Sequence, residues 1–126
     1  MIAVAEFRAA LRSFLRKAEQ TSRRAGLTPQ RYLLLLMIKG APDGTEKSTV
    51  TELSERLRLA QSTVTELVRR AEEAGLVERE PSRNDGRVAH LRLSAEGERR
   101  LGRAVRNLAQ EREELRTAFE HLDSAG

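Results

Sequence analysis

Between Gly75 and Ser94 the hydrophobic period of this chain changes from about 3.6 residues to about 2, and it changes back immediately afterwards. Leu76-Val77-Glu78-Arg79-Glu80 and Val88-Ala89-His90-Leu91-Arg92-Leu93 alternate as short, half-buried strands do. The polar, turn-forming residues Pro81-Ser82-Arg83-Asn84-Asp85-Gly86-Arg87 lie between them, so the segment predicts a β-hairpin with a protruding tip. A lone two-stranded hairpin is marginally stable in water and must rest on other elements. The rest of the chain supplies those elements as helices, which makes the fold class mainly α with one small β-hairpin.

The helical pattern begins with Val4, Phe7, Leu11, Phe14, Leu15 and Ala18, spaced in threes and fours with Arg8, Arg12, Arg16 and Lys17 between them, and stops at Gly26. Thr28-Pro29 follows, a hydroxyl cap and a proline at the first helical position, where the missing N–H is harmless. The next stretch, Tyr32-Leu33-Leu34-Leu35-Leu36-Met37-Ile38, is apolar on every side and predicts a central, buried helix. Gly40 and Pro42 end it, and residues 43–47 read as an exposed loop.

Thr49-Val50-Thr51-Glu52 has the form of a capping box opening a short third helix, with Leu53, Leu57 and Val50 facing the core and an end near Arg58-Leu59. A tight turn leads to a fourth helix from about Gln61 to Ala74, with Val64, Leu67, Val68 and Ala71 inward and Gly75 as its stop. After the hairpin, Ser94 caps what reads as one last long helix. Its apolar positions are Leu101, Val105, Leu108, Leu115, Phe119 and Leu122, with Arg112 interrupting the series.

Two helices joined by a tight turn and followed by a hairpin form a winged helix-turn-helix. The second helix of such a pair matches the width of the DNA major groove. Its outward face here is Gln61, Ser62, Thr65, Glu66 and Arg69, and Ser62 and Thr63 lie in the first turn, where free backbone N–H groups favour a phosphate. Gln61 can pair with adenine, Arg69 with guanine or phosphate, and Glu66 only with a donor such as cytosine N4. On the wing, Arg83 and Arg87 suit the negative potential of a narrow minor groove, and Asp85 stands where it can restrain Arg87.

Charge by itself does not argue for this. Residues 51–97 carry eight basic and nine acidic groups, a net of −1, whereas residues 1–50 carry nine against four, a net of +5. Individual arginines, not an overall basic balance, must make the contacts. An interaction module with the same fold and no specific DNA binding is the alternative.

Other classes have less support. The two histidines, His90 and His121, stand on a strand and near the terminus, with no nucleophile–base pattern around them, so no enzyme is expected. Cysteine is absent, and no glycine-rich phosphate loop or metal-ligand spacing occurs; no metal and no cofactor are expected. The longest apolar run is far below the ~20 residues a membrane span needs, and the N-terminus lacks a signal-peptide plan, so a soluble, cytoplasmic protein is expected.

In order and spacing the motifs resemble the multiple antibiotic resistance regulator (MarR) family. The matching residues are Leu27-Thr28-Pro29, Thr51-Glu52-Leu53-Ser54-Glu55-Arg56-Leu57, Ser62-Thr63-Val64-Thr65, Glu73-Ala74-Gly75-Leu76-Val77-Glu78-Arg79, Asp85 with Arg87, and Leu93-Ser94 with Gly97. The resemblance implies a homodimer whose first and last helices intertwine, wings that reach minor grooves, and repression relieved by a small, often aromatic or phenolic effector. It departs from the family pattern at Ala60, where a capping Ser or Thr is common, and at Glu66, where a basic residue is frequent. It departs again after Gly97, where the family adds a further helix and a single one is expected here.

A dimer is also expected on physical grounds, because the stripes formed by Phe7, Leu11 and Phe14 and by Leu108, Leu115, Phe119 and Leu122 exceed what one small winged unit can cover. The expected organisation is one domain over residues 1–126. Residues 28–97 would form a core for double-stranded DNA, and residues 1–26 and 98–126 the dimerisation helices. Two-fold symmetry then asks for an inverted-repeat site.

Overall fold

The computed structural model describes residues 1–81 and 88–125. Its elements run α1 (Ile2–Arg24), α2 (Pro29–Lys39), α3 (Val50–Leu57), α4 (Gln61–Glu73), β1 (Val77–Pro81), β2 (Ala89–Leu93), α5 (Ala95–Arg106) and α6 (Ala109–Ala125). The helix starts follow local chemistry. Thr28 Oγ1 accepts the Arg31 N–H at 3.2 Å, with Pro29 at the first position of α2. The capping box of α3 is complete: Thr49 Oγ1 accepts from Glu52 N at 3.2 Å, and Glu52 Oε1 accepts from Thr49 N at 2.9 Å. Ser94 Oγ accepts the Gly97 N–H at 3.0 Å and opens α5.

The core gathers around α2. Leu34, Leu35 and Ile38 are fully buried, and each is worth roughly 1.5–3 kcal/mol of transfer free energy. They meet Leu53 of α3, Val64 and Val68 of α4, and Leu76, Val77, Leu91 and Leu93 of the hairpin. The expectation that α2 is buried all round holds only in part: Leu36 and Met37 are half-buried, and Leu33 stays exposed on the side facing α1.

β1 and β2 pair antiparallel from Val77–Leu93 to Pro81–Ala89. Ser48 adds a bridge on the outer edge of β2, donating to Leu91 O at 3.1 Å and accepting from Leu91 N at 2.8 Å. Arg56 of α3 secures that junction, since its Nη2 donates to Met37 O at 2.6 Å and to Ser48 Oγ at 2.9 Å. The hairpin is therefore seated on the loop before α3, which sets its direction relative to α4.

The single long helix expected after Ser94 is two helices. α5 ends at Arg106, Leu108 donates back to Val105 O at 3.1 Å, and Asn107 Nδ2 donates to Arg103 O at 3.1 Å. Neither glycine nor proline marks the break. Its cause is packing: α5 lies against α1, α2 and β2, α6 runs along α1, and Leu108 at the corner is drawn into the core at 2 % exposure. Two helices, not the single one expected, therefore follow Ser94. No helix among the described residues is long and apolar enough to cross a membrane.

Candidate nucleic-acid interface

α4 is placed by a three-residue turn. Arg58 closes α3 in the left-handed region (φ 56°, ψ 45°), a conformation uncommon for a side-chain-bearing residue. The turn is tied by Leu59 N to Ser54 O at 3.2 Å and by Ser54 Oγ to Leu59 O at 2.6 Å. Val64, Val68 and Ala71 are fully buried and Leu67 nearly so, which fixes the rotation of α4 about its axis. That rotation leaves Gln61, Ser62, Thr63, Thr65 and Arg69 exposed and Glu66 half-buried. The five residues assigned to this face by the sequence lie together on it, and Thr63 is exposed in the first turn.

Their electrostatics were not evident from the sequence. Glu66 takes Arg69 in a bidentate pair, Oε1 from Nη2 at 2.5 Å and Oε2 from Nε at 2.9 Å. It also accepts from Arg70 Nε at 3.1 Å, and Arg69 Nη1 reaches Glu73 as well. The Arg69 guanidinium, aided by Arg70, pulls the Glu66 carboxyl down to about 2, and Glu66 in turn raises the pKa of Arg69. Arg70 belongs to the site although the sequence reading left it out; its position four residues after Glu66 was the available signal.

At the start of α4, Ala60 stands at the cap with no side-chain hydrogen bond, so the first turn has no side-chain acceptor from its cap. Gln61 is tethered across the turn, Nε2 donating to Thr51 Oγ1 at 3.3 Å.

Arg83, Asp85 and Arg87 lie outside the described residues. At the base of the wing, Arg79 pairs with Glu72 at 3.0 Å, Lys47 with Glu80 at 2.8 Å, and Arg92 with Glu78 at 3.4 Å and with Glu80 at 3.5 Å. Lys47 holds the Glu80 carboxyl below its ordinary range.

α6 lies along α1. The rings of Phe7 and Phe119 meet at 6.3 Å, and His121 Nδ1 lies 2.9 Å from Glu6. Phe7, Leu11, Phe14, Leu115 and Leu122 are half-buried, and Phe119 keeps 58 % of its surface exposed. Leu108, expected in the same stripe, belongs instead to the chain's own core. Met1, Ile2, Val4 and Leu15 extend the exposed apolar surface. Between α1 and α2 a cavity of about 240 Å³ is lined by Phe14, Leu15, Ala18, Tyr32, Leu33 and Leu36, among others.

A family model described as the MarR family matches residues 25–88, just over half of the chain. The chain belongs to the MarR family. Solved structures agree on the fold. Apo wild-type MarR from E. coli superposes with a TM-score of 0.74 at 20 % identity, covering 94 % of this chain and 91 % of that one. A mutant E. coli MarR complexed with operator DNA gives 0.71 at 20 % identity, with 94 % and 88 % covered. The YusO protein from Bacillus subtilis gives 0.69 at 23 % identity, again with 94 % and 88 % covered. No curated protein sequence matches significantly. The winged helix-turn-helix of this MarR-family chain is therefore the family fold, with Glu66 on the outward face of its α4.

Proposed function

We propose that this protein is a sequence-specific, double-stranded-DNA-binding transcription regulator that acts as a homodimer on an inverted-repeat operator, most simply as a repressor. The observation that carries the reading is α4 itself. Its apolar stripe is completely consumed by the core, while Gln61, Ser62, Thr65 and Arg69 stand exposed, with no other element over them among the described residues. A helix so presented fits a major groove, and its uncapped first turn suits a phosphate. The operator-DNA complex of a mutant E. coli MarR, which shares this fold, supports DNA as the partner.

Residues 28–97 form the reading core and residues 1–26 and 98–126 the dimerisation helices. Two features support the dimer. α1 and α6 leave Ile2, Val4, Leu15 and Phe119 exposed, and they carry opposite net charge, +4 for residues 2–24 and −3 for residues 109–125. A second copy that sets α1 against the partner's terminal helix would cover the apolar residues and pair the charges. The cavity between α1 and α2 is apolar and of a size for a small aromatic molecule, which supports an effector of that class. The wing residues Arg83, Asp85 and Arg87 are assigned to the adjacent minor groove.

Selection of bound duplexes from a random pool tests the proposal. The expected product is an inverted repeat with half-sites about one helical turn apart, bound with affinity that falls steeply as salt rises. Recovery of no enriched sequence, with no salt-dependent binding of any duplex, would favour the protein-interaction module. The −1 balance of residues 51–97 is the observation on that module's side.

A further inference from the structure

We infer that Glu66 is a specificity-determining residue: it holds Arg69 and Arg70 away from DNA phosphates, so that a duplex offering no donor to its carboxylate is bound weakly. The inference rests on α4 being the reading helix. α4 carries two cations, Arg69 and Arg70, against Glu66, Glu72 and Glu73, a net of −1. Both cations are engaged within the helix. Arg69 gives Nε and Nη2 to Glu66 and Nη1 to Glu73, and Arg70 gives Nε to Glu66. Glu66 is thus the common acceptor of both arginines, on the same outward face as Ser62 and Thr65.

When such a face approaches a duplex, phosphates compete with a carboxylate that already fills the guanidinium fork. Freeing an arginine for a phosphate leaves Glu66 bare in the negative potential of the DNA. Leaving it in place forfeits the phosphate contact. Either way, binding to arbitrary sequence is weakened.

Only an exocyclic amino group, cytosine N4 or adenine N6, can occupy the remaining lone pairs of the carboxylate in the major groove. A site with such a base at this position escapes part of the penalty. Specificity then comes chiefly from disfavouring wrong sequences. The fully ionised state of Glu66 agrees with the geometry.

The test is fluorescence anisotropy on two duplexes, one of random sequence and one selected by the wild-type protein, over a series of salt concentrations. Glu66→Gln keeps the shape and removes the charge. It is expected to tighten binding to random duplex by about threefold or more and to steepen the log–log salt slope by about 1–2, as one or both arginines turn to phosphates. The ratio of affinities for selected and random duplex should fall with it.

Glu73→Gln removes the same charge from the same helix but leaves the bidentate Glu66 pair in place, so its effect should be clearly smaller. Equal effects of the two variants would overturn the inference in favour of a simple change of net charge. So would a Glu66→Gln protein that matches wild type on random duplex. A wild-type protein that binds neither duplex at any salt would instead remove the DNA-binding reading itself.

Discussion

Gly97→Ala adds one methyl group to the first turn of α5, and the structure sets its consequence. A Cβ at this position would lie 2.2 Å from the Leu76 carbonyl oxygen and 3.1 Å from its carbon. A carbon–oxygen contact relaxes near ~3.3 Å, so helix and strand must part by roughly 1 Å. That movement pulls on two hydrogen bonds that join the same segments, Ser94 N to Leu76 O at 3.0 Å and Ser94 Oγ to Gly75 O at 2.6 Å. Overpacking of this kind costs about 1–3 kcal/mol, and a weakened hydrogen bond adds up to about 1 kcal/mol. Alanine returns at most about 1 kcal/mol through helix propensity. The net expectation is destabilisation by about 1–3 kcal/mol, or a fall in Tm of roughly 4–12 °C at about 4 °C per kcal/mol.

Gly102 in the same helix provides the internal control. A Cβ there meets nothing within 4 Å, so Gly102→Ala should stabilise by about 0.5–1 kcal/mol. Thermal unfolding followed by circular dichroism, at one protein concentration for all variants, reads both signs. A Gly97→Ala protein as stable as wild type, with the Gly102→Ala protein unchanged, would refute the claim that close approach to Leu76 is what requires glycine at residue 97.

Ala60→Ser supplies the hydroxyl that α4 lacks at its cap and should raise stability in urea by about 1 kcal/mol; no change would mean that the first turn is already satisfied. Glu66 should titrate near 2 by carbon NMR, and Arg69→Ala should return it most of the way to the ordinary 4.5, because Arg69 is its main partner. The folded pKa is depressed, so the stabilisation from this pair is fully present above about 4.5 and is lost as pH falls toward about 2. Gln61→Ala should change the selected consensus rather than weaken all sequences alike, at about 1–3 kcal/mol per lost base contact, and Arg69→Ala should change it by releasing Glu66 from its main partner; identical consensus sequences would mean the face is misassigned. Arg87→Ala should weaken binding across all sequences in a gel-shift titration, and unchanged affinity would remove the wing's assigned role.

The features read correctly from sequence are those governed by neighbours along the chain. A hydroxyl at residues 28, 49 or 94 finds its N–H three residues later whatever the rest of the molecule does. Gly26 and Gly75 take the positive φ (78° and 75°) that ends a helix, and the change of hydrophobic period marks the hairpin. The outward face of α4 followed from the same periodicity, since Val64, Leu67, Val68 and Ala71 define the side that must be buried.

Other features depend on what lies opposite in space, and they escaped the sequence. The corner at Asn107 carries no breaker; it exists because α5 must cover α2 and β2 while α6 must follow α1. Leu108 continues an amphipathic stripe in the sequence, yet the corner turns it into the core. Leu33 sits in a wholly apolar run and remains exposed because α1 leaves a cavity beside it.

Local hydrogen bonding and hydrophobic period, which act over three or four residues, thus settled where α2, α3 and α5 begin and which side of α4 is apolar. Tertiary packing decided how the apolar sides of the helices are shared out. The burial of any one of them depends on surfaces contributed by segments far away in the chain, and no pattern within a single helix encodes that allocation.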